Sequence, residues 1–253
     1  MSNRLLGVIS ALPEELVHLS DRPGKVQEIG GLGFWRGVIA GREAVFVESG
    51  AGKVNAGVAT SLLLDRFACR ALLVCGVAGG LDPALDVGDI VVGAGNLQHD
   101  YKVQYEDGLR TVQPGSRRSL GEEWTPGYPL SDSVVARLRM ALASLVLEPL
   151  PDAIVRGGRV PGIHFGTILT GDTFISSDEV RRRLHAEFDA LAVEMEGGAV
   201  AQVAHRWGGD IPVVNVRCLS DLAGSASHLD FKVFLPVAAR YASLVAHRLA
   251  PAI

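Results

Sequence analysis

The feature that most constrains this chain is a succession of short, β-branched apolar runs, each bounded by glycine or polar residues and separated by stretches of helical periodicity. Leu5 to Ile9, Ala44 to Glu48, Ala71 to Cys75, Ile90 to Gly93, Leu191 to Glu194 and Val213 to Arg217 read as buried strands. Between them, Asn55 to Phe67, Val134 to Leu145, Asp178 to Phe188, Gly198 to Trp207 and Phe231 to Leu249 repeat apolar residues at helical spacing. Strand and helix alternate for most of the chain, so the expected class is α/β, a sheet with helices on both faces. A length of 253 residues with 48% hydrophobic and 21% charged residues suits one domain, 1–253, around a substantial core.

Charge narrows the partner. The net charge of -4 comes from acidic and basic residues interleaved along the chain, which leaves no basic stripe to gather phosphates and excludes nucleic acid as the expected ligand. Cys69, Cys75 and Cys218 lie in or beside apolar runs without metal-ligand spacing and read as buried free thiols of a reducing compartment. Met1 runs almost directly into the first strand with no charged leader or cleavage site. No apolar run approaches the roughly 20 residues that cross a bilayer. The expectation is a cytoplasmic protein, off the membrane, acting on a small molecule. Gln98 to Tyr128 is polar and aperiodic, and reads as a long loop or flap near the site or at a subunit contact.

Two glycine-rich segments follow strands. Gly50 and Gly52 resemble the start of a dinucleotide fingerprint, but Asn55 stands where the third glycine belongs, so a dinucleotide is not indicated. Backbone N–H groups there remain able to hold an anion or ribose hydroxyls, and a plain tight turn is as good a reading. Cys75 to Leu81 reads as a second turn, alone no more than a strand-to-loop connection. The acidic residues carry more. Glu15 follows the first strand, Glu194 and Glu196 flank Met195 at the end of another, and Ser220-Asp221 closes the strand that begins near Val213. A lone strand-end carboxylate is usually a cap or a surface charge. Three strand ends delivering carboxylates to one sheet edge describe a site, because ligands of open α/β sheets collect there.

Without clustered histidines these carboxylates suit acid–base work and support of a cationic transition state, which is what glycosidic cleavage requires. His99-Asp100 and His228 alone among the histidine segments stand in loops expected near the site, and a structural role is the default for every histidine. No nucleophile elbow, Cys-x-x-Cys pair or zinc-binding helix occurs. Phe174 and Phe231 read either as core aromatics or as partners for a purine ring.

Taken together, Ser-Ala-Leu-Pro-Glu-Glu15, Ser49-Gly-Ala-Gly-Lys-Val-Asn55, Gly76-Val-Ala-Gly-Gly-Leu81, Val87-Gly-Asp-Ile-Val91, Thr170-Gly-Asp-Thr-Phe174, Val193-Glu-Met-Glu196 and Ser220-Asp221 resemble the nucleoside phosphorylase and nucleosidase family. The branch they resemble is that of 5'-methylthioadenosine/S-adenosylhomocysteine nucleosidases, and the likeness covers nearly the whole chain in order. It implies a three-layer α/β/α fold with a central mixed sheet, no cofactor or metal, a purine nucleoside substrate, a homodimer with a partner loop near each site, and a place in methionine salvage. By position it implies that Asp221 protonates purine N7 with Ser220 holding it, and that Glu15 deprotonates the attacking water. It further implies that Glu196 and Glu194 bind the ribose hydroxyls, Met195 packs on the sugar, and Arg217 supports the carboxylates. Phe174 would stack on the base, Ile175 read its edge through backbone groups, and Phe231 close over the substrate.

Phosphorylases of the family carry an arginine and a serine around the glycine turn that holds phosphate. Val74 and Val77 occupy those positions here and bind no anion, so water is the expected nucleophile. Val77 also stands where the nucleosidases often carry serine, and Tyr101 to Gly115 departs from their pattern. Pro13 and Gly197-Gly198 are milder departures. The 5' group therefore stays open between methylthio, homocysteinyl and the larger futalosine type. A purine nucleoside phosphorylase and a non-catalytic nucleoside-binding protein are the rival readings, the second disfavoured because Glu15, Glu196 and Asp221 are all present.

Overall fold

The computed structural model describes residues 5–20, 25–115, 127–152, 158–208, 211–225 and 227–253, with the side chains of 228–230 outside that description. In chain order the elements are β1 (Leu6–Ser10), the one-turn helix α1 (Pro13–Leu16), β2 (Val26–Ile29), β3 (Leu32–Ile39), β4 (Arg42–Glu48), α2 (Lys53–Arg66), β5 (Ala71–Gly80) and β6 (Ile90–Gln98). There follow β7 (Lys102–Tyr105), β8 (Gly108–Thr111), β9 (Tyr128–Pro129), α3 (Asp132–Leu142), β10 (Ile163–Thr170), α4 (Asp178–Phe188), β11 (Ala190–Glu194), α5 (Gly197–Gly208), β12 (Val213–Asp221) and α6 (Ser227–Leu249).

The main sheet runs β11-β10-β6-β12-β5-β1-β4-β3-β2. It is mixed: β1 lies parallel to β4 and β5, and β12 parallel to β5, whereas β12 with β6 and β3 with β4 are antiparallel. One face packs on α1, α3 and α6 through Leu16, Leu138, Leu142, Phe234 and Tyr241, and the other on α2 and α5 through Ala56, Leu63, Val200 and Ala204. Central strands buried on both faces read as continuous apolar runs, which is why β1, β4 and β12 were legible.

Two expectations are corrected, and two strand regions lie outside the sequence reading. The segment Cys75 to Leu81 is no turn: its glycines continue β5 to Gly80, paired with β12 as far as Asp221. The segment Gln98 to Tyr128 holds the hairpin β7–β8, a sheet of its own, and β9 begins at Tyr128; residues 116–126 lie outside the described set. Strand β10 went unread because Gly166 interrupts its apolar run, His164 and Thr167 are polar, and its first five residues are only half-buried. The hairpin β2–β3 at the sheet margin went unread too, since an edge exposed to water needs no continuous apolar run.

The sheet also closes on itself. β11 pairs with β10 on one side, and on the other its Ala192 and Val193 pair antiparallel with Gly80 and Gly79 at the end of β5. This curl brings the carboxyl end of β11 against those of β5 and β12.

Candidate active site

All eleven residues singled out from the sequence, namely Glu15, Val77, Phe174, Ile175, Glu194, Met195, Glu196, Arg217, Ser220, Asp221 and Phe231, line one cavity of about 250 Å³ at those strand ends. Ala11, Leu12, Ala51, Ala78, Gly79, Thr173 and Val193 complete its wall.

Glu15 enters from α1, where Pro13 at the helix start presets the backbone and the Glu15 side chain folds back onto the preceding loop. Its Oε2 accepts from the N–H of Ala11 (2.9 Å) and Leu12 (3.0 Å), and its Oε1 from the N–H of Val77 (3.0 Å). Burial pushes its carboxyl above the usual range, against the Arg217 charge and the three N–H bonds. Glycine at 76 is a steric requirement: a Cβ there would overlap the Glu15 carboxylate and crowd Arg217 Nη1.

Across from it sits a buried ionic cluster. Arg217 Nη2 is bonded to Glu194 Oε2 and lies 3.3 Å from Glu196 Oε2, Nη1 donates to Val77 O (3.2 Å), and Nε donates to Asn215 (2.7 Å). Glu194 also accepts from Thr170 Oγ1 and from the N–H groups of Glu196 (3.1 Å) and Gly197 (2.8 Å). Glu196 Oε1 accepts from Gly52 N (2.9 Å). Burial pushes Glu196 up to about 7, with Arg217 pulling it down and Glu194 and Glu15 pushing the same way as burial. Desolvation opposes the Arg217 charge, but Glu194, Glu196 and Glu15 outweigh it and hold that charge more firmly than in water.

Ser220-Asp221 reaches the cavity through a β-bulge. In the β12–β5 ladder Leu219 pairs with Ala78 and Asp221 with Gly79, so Ser220 is the extra residue. A regular strand sends neighbouring side chains to opposite faces; the bulge breaks the alternation and lets both line the cavity. Ser220 Oγ donates to Asp221 Oδ2 (3.0 Å) and Ala223 N to Oδ1 (2.8 Å). Phe174 and Phe231 meet edge to face, centroids 5.9 Å apart, over the opening.

The sequence reading missed one set of partners. The first N–H groups of α2 bind the protein's own carboxylates, Gly52 N to Glu196 and Lys53 N to Asp172 Oδ1 (2.9 Å), so this glycine turn does not offer those donors to an anion or a ribose. Lys53 Nζ in turn pairs with Asp100 (2.7 Å) and Asp172 (3.5 Å), tying α2 to the loop that carries Phe174 and Ile175. Lys53 and Asp172 stood inside the quoted motifs, and their charges spaced across two strand ends were the available signal. His99 is buried but does not line the cavity, and the His228 side chain lies outside the described residues. Among the described residues no group of three or more His, Cys, Asp or Glu could hold a metal ion, and no helix is long and apolar enough to cross a membrane.

The family model described as the phosphorylase superfamily matches residues 5–251. The chain is 42% identical over 248 residues, 97% of its length and 96% of the other's, to a 5'-methylthioadenosine/S-adenosylhomocysteine nucleosidase of Mycobacterium tuberculosis. Among solved structures it is similar to the nucleosidase of the same name from S. pneumoniae with a transition-state inhibitor, with TM-score 0.79 and 30% identity over 98% of this chain and 99% of that one. It is also similar to native futalosine hydrolase of Helicobacter pylori, with TM-score 0.81 and 25% identity over 99% and 98% of the two chains.

Proposed function

The chain belongs to the phosphorylase superfamily, and from that premise we propose that it hydrolyses the N-glycosidic bond of a 5'-substituted adenine nucleoside, of the methylthioadenosine and adenosylhomocysteine type, to adenine and the substituted ribose. The observation that carries this is the convergence of a backbone-held Glu15, the Glu194–Arg217–Glu196 cluster and Ser220-Asp221 on one cavity with an aromatic mouth.

The adenine anion is a poor leaving group, so the barrier falls where the base is protonated and the sugar's positive charge is supported. Asp221 gives its proton to N7. Ser220 Oγ and Ala223 N, which already donate to its oxygens, then stabilise the carboxylate it leaves behind. Glu196 and Glu194 take the ribose hydroxyls and, as anions, favour the oxocarbenium-like sugar, with Met195 against its face. Glu15, its lone pairs aimed by three N–H bonds and its basicity raised by burial, removes the proton of the attacking water. Phe174 stacks on the base, Ile175 reads its edge, and Phe231 covers the opening. Phosphate is disfavoured as nucleophile because every Arg217 nitrogen is already bonded and Val77 lines the wall.

A futalosine-type 5' group is the second reading, favoured by the likeness to the H. pylori futalosine hydrolase. The same proposal takes the protein as a cytoplasmic homodimer, its separate β7–β8 hairpin reaching the partner's site. Methylthioadenosine, adenosylhomocysteine, aminofutalosine and inosine, each with and without phosphate, test the reaction by chromatography of the released base and sugar. Free adenine and a reducing sugar without phosphate are expected, and sugar 1-phosphate would overturn hydrolysis. Asp221→Asn is expected to bind nucleoside while turning it over at least about 100-fold more slowly, in line with loss of a general acid; retained turnover removes Asp221 from that role.

A further inference from the structure

Behind the ionic cluster a hydrogen-bond chain runs from the cavity into the core. Arg217 Nε donates to Asn215 Oδ1 (2.7 Å), and Asn215 Nδ2 donates to Asn96 Oδ1 (2.9 Å). Asn215 and Asn96 are 0% and 1% exposed, and neither lines the cavity. A guanidinium offers donors only, so it forces Asn215 to present its oxygen. That turns the Asn215 NH₂ toward β6, where Asn96 must present an oxygen in turn. The direction of both amides is thus set by Arg217.

The chain ends on an orphan: Asn96 Nδ2 has no hydrogen-bond partner among the described residues. Buried amide donors are rarely left so, and two apolar side chains of similar shape would fill the space without one. As a stabilising device the pair is therefore poor. What it supplies is an acceptor for Nε, the Arg217 nitrogen that bonds to neither carboxylate and to no backbone carbonyl, which leaves the two Nη groups for Val77 O, Glu194 and Glu196. The Asn215 amide also lies directly under the start of α5, next to Glu196, since a Cβ at Gly197 would overlap it.

We propose that Asn215, anchored on Asn96, is a positioning residue that aims Arg217 at the Glu194–Glu196 pair and acts on the reaction only through that guanidinium. The inference rests on the nucleosidase reading. Wild-type release of adenine without phosphate is therefore measured first, and its absence would overturn that reading and not this one. The Arg217 Nε–H resonance in ¹⁵N-labelled protein tests the positioning without turnover: protected from exchange in wild type, unprotected in Asn215→Leu.

In Asn215→Leu, kcat is expected to fall at least about 10-fold while KM changes less than about 3-fold and free adenine still binds, because the base wall is untouched. Asn215→Asp keeps an oxygen at Nε and allows Asn96 to turn its NH₂ toward the other, so its kcat is expected to stay several-fold above that of the leucine variant. Unchanged turnover in Asn215→Leu, loss of adenine binding together with turnover, or an aspartate variant no better than the leucine one would each overturn the proposal. Should the leucine variant not fold, the comparison of the aspartate variant with wild type decides: Nε–H protection and kcat within about 10-fold support it, and loss of either refutes it.

Discussion

On one side of the cavity Arg217 is 1% exposed and every one of its nitrogens is hydrogen-bonded; on the other, Phe174 is 46% exposed and meets Phe231 edge-on at the mouth. The contrast follows from the forces each wall uses. Charges in a dry site stabilise a developing cation strongly only if they need not reorganise, and the wall we propose for the ribose is already locked by its own hydrogen bonds. Stacking on a base is far less directional, and an aromatic mouth can be completed by the substrate itself. Asp221 sits between the two regimes, buried on a strand end with its carboxylate accepting from Ser220 Oγ and Ala223 N.

The largest effect should come from breaking the locked wall. Arg217→Met leaves Glu194 and Glu196 buried beside each other without their cation, and is expected to cost about 3–5 kcal/mol of stability, read by thermal or denaturant unfolding. A cost below about 1 kcal/mol would mean that the wall does not depend on the guanidinium.

The second prediction concerns pH and sharpens the same point. Glu196 is pushed up to about 7 by burial, so kcat/KM, which reports the free enzyme, should fall as pH is lowered through about 7, where the carboxylate we propose supports the sugar becomes neutral. Stability should move the other way. A carboxyl whose folded pKa lies above its unfolded value favours the fold while protonated, so this contribution is complete below about 4.5 and is lost as pH rises through about 7. Glu15, also raised, acts in the same direction. Melting temperature and kcat/KM measured together from pH 5 to 8 should thus trend oppositely, and a parallel trend would contradict the assignment.

The smallest effect belongs to the open wall. Phe174→Leu removes a stacking surface worth about 0.5–1.5 kcal/mol, so KM should rise roughly 2- to 10-fold with kcat and melting temperature nearly unchanged. A large loss of stability would show that Phe174 is a core residue after all.

Legibility from sequence tracks burial and locality. Helix α4 was bounded correctly at Asp178–Phe188 because its signals are local: Ser177 accepts from Val180 N at the start, and Asp189 takes a left-handed conformation at the end. The reach of β5 to Gly80 was misread because glycines usually punctuate strands, and here they continue one so that Glu15, Arg217 and Asp221 can come close to its backbone. The helix α2 start stays open in the sequence between an anion or ribose site and a plain tight turn because nothing in Gly50 to Asn55 says that Glu196 and Asp172, more than a hundred residues away, take its donors.

By itself the amino-acid sequence determined the class of fold, the strands that deliver carboxylates and the motifs that place the chain in its family, since apolar periodicity and residue type are properties of short segments. Tertiary structure alone decided that β11 curls round to meet the end of β5, that a bulge at Ser220 turns two neighbouring side chains into one cavity, and that Asn96 and Asn215 stand behind Arg217. Pairing of strands remote in sequence, and the buried hydrogen bonds it forces, depend on which backbones lie side by side, and no local pattern encodes that.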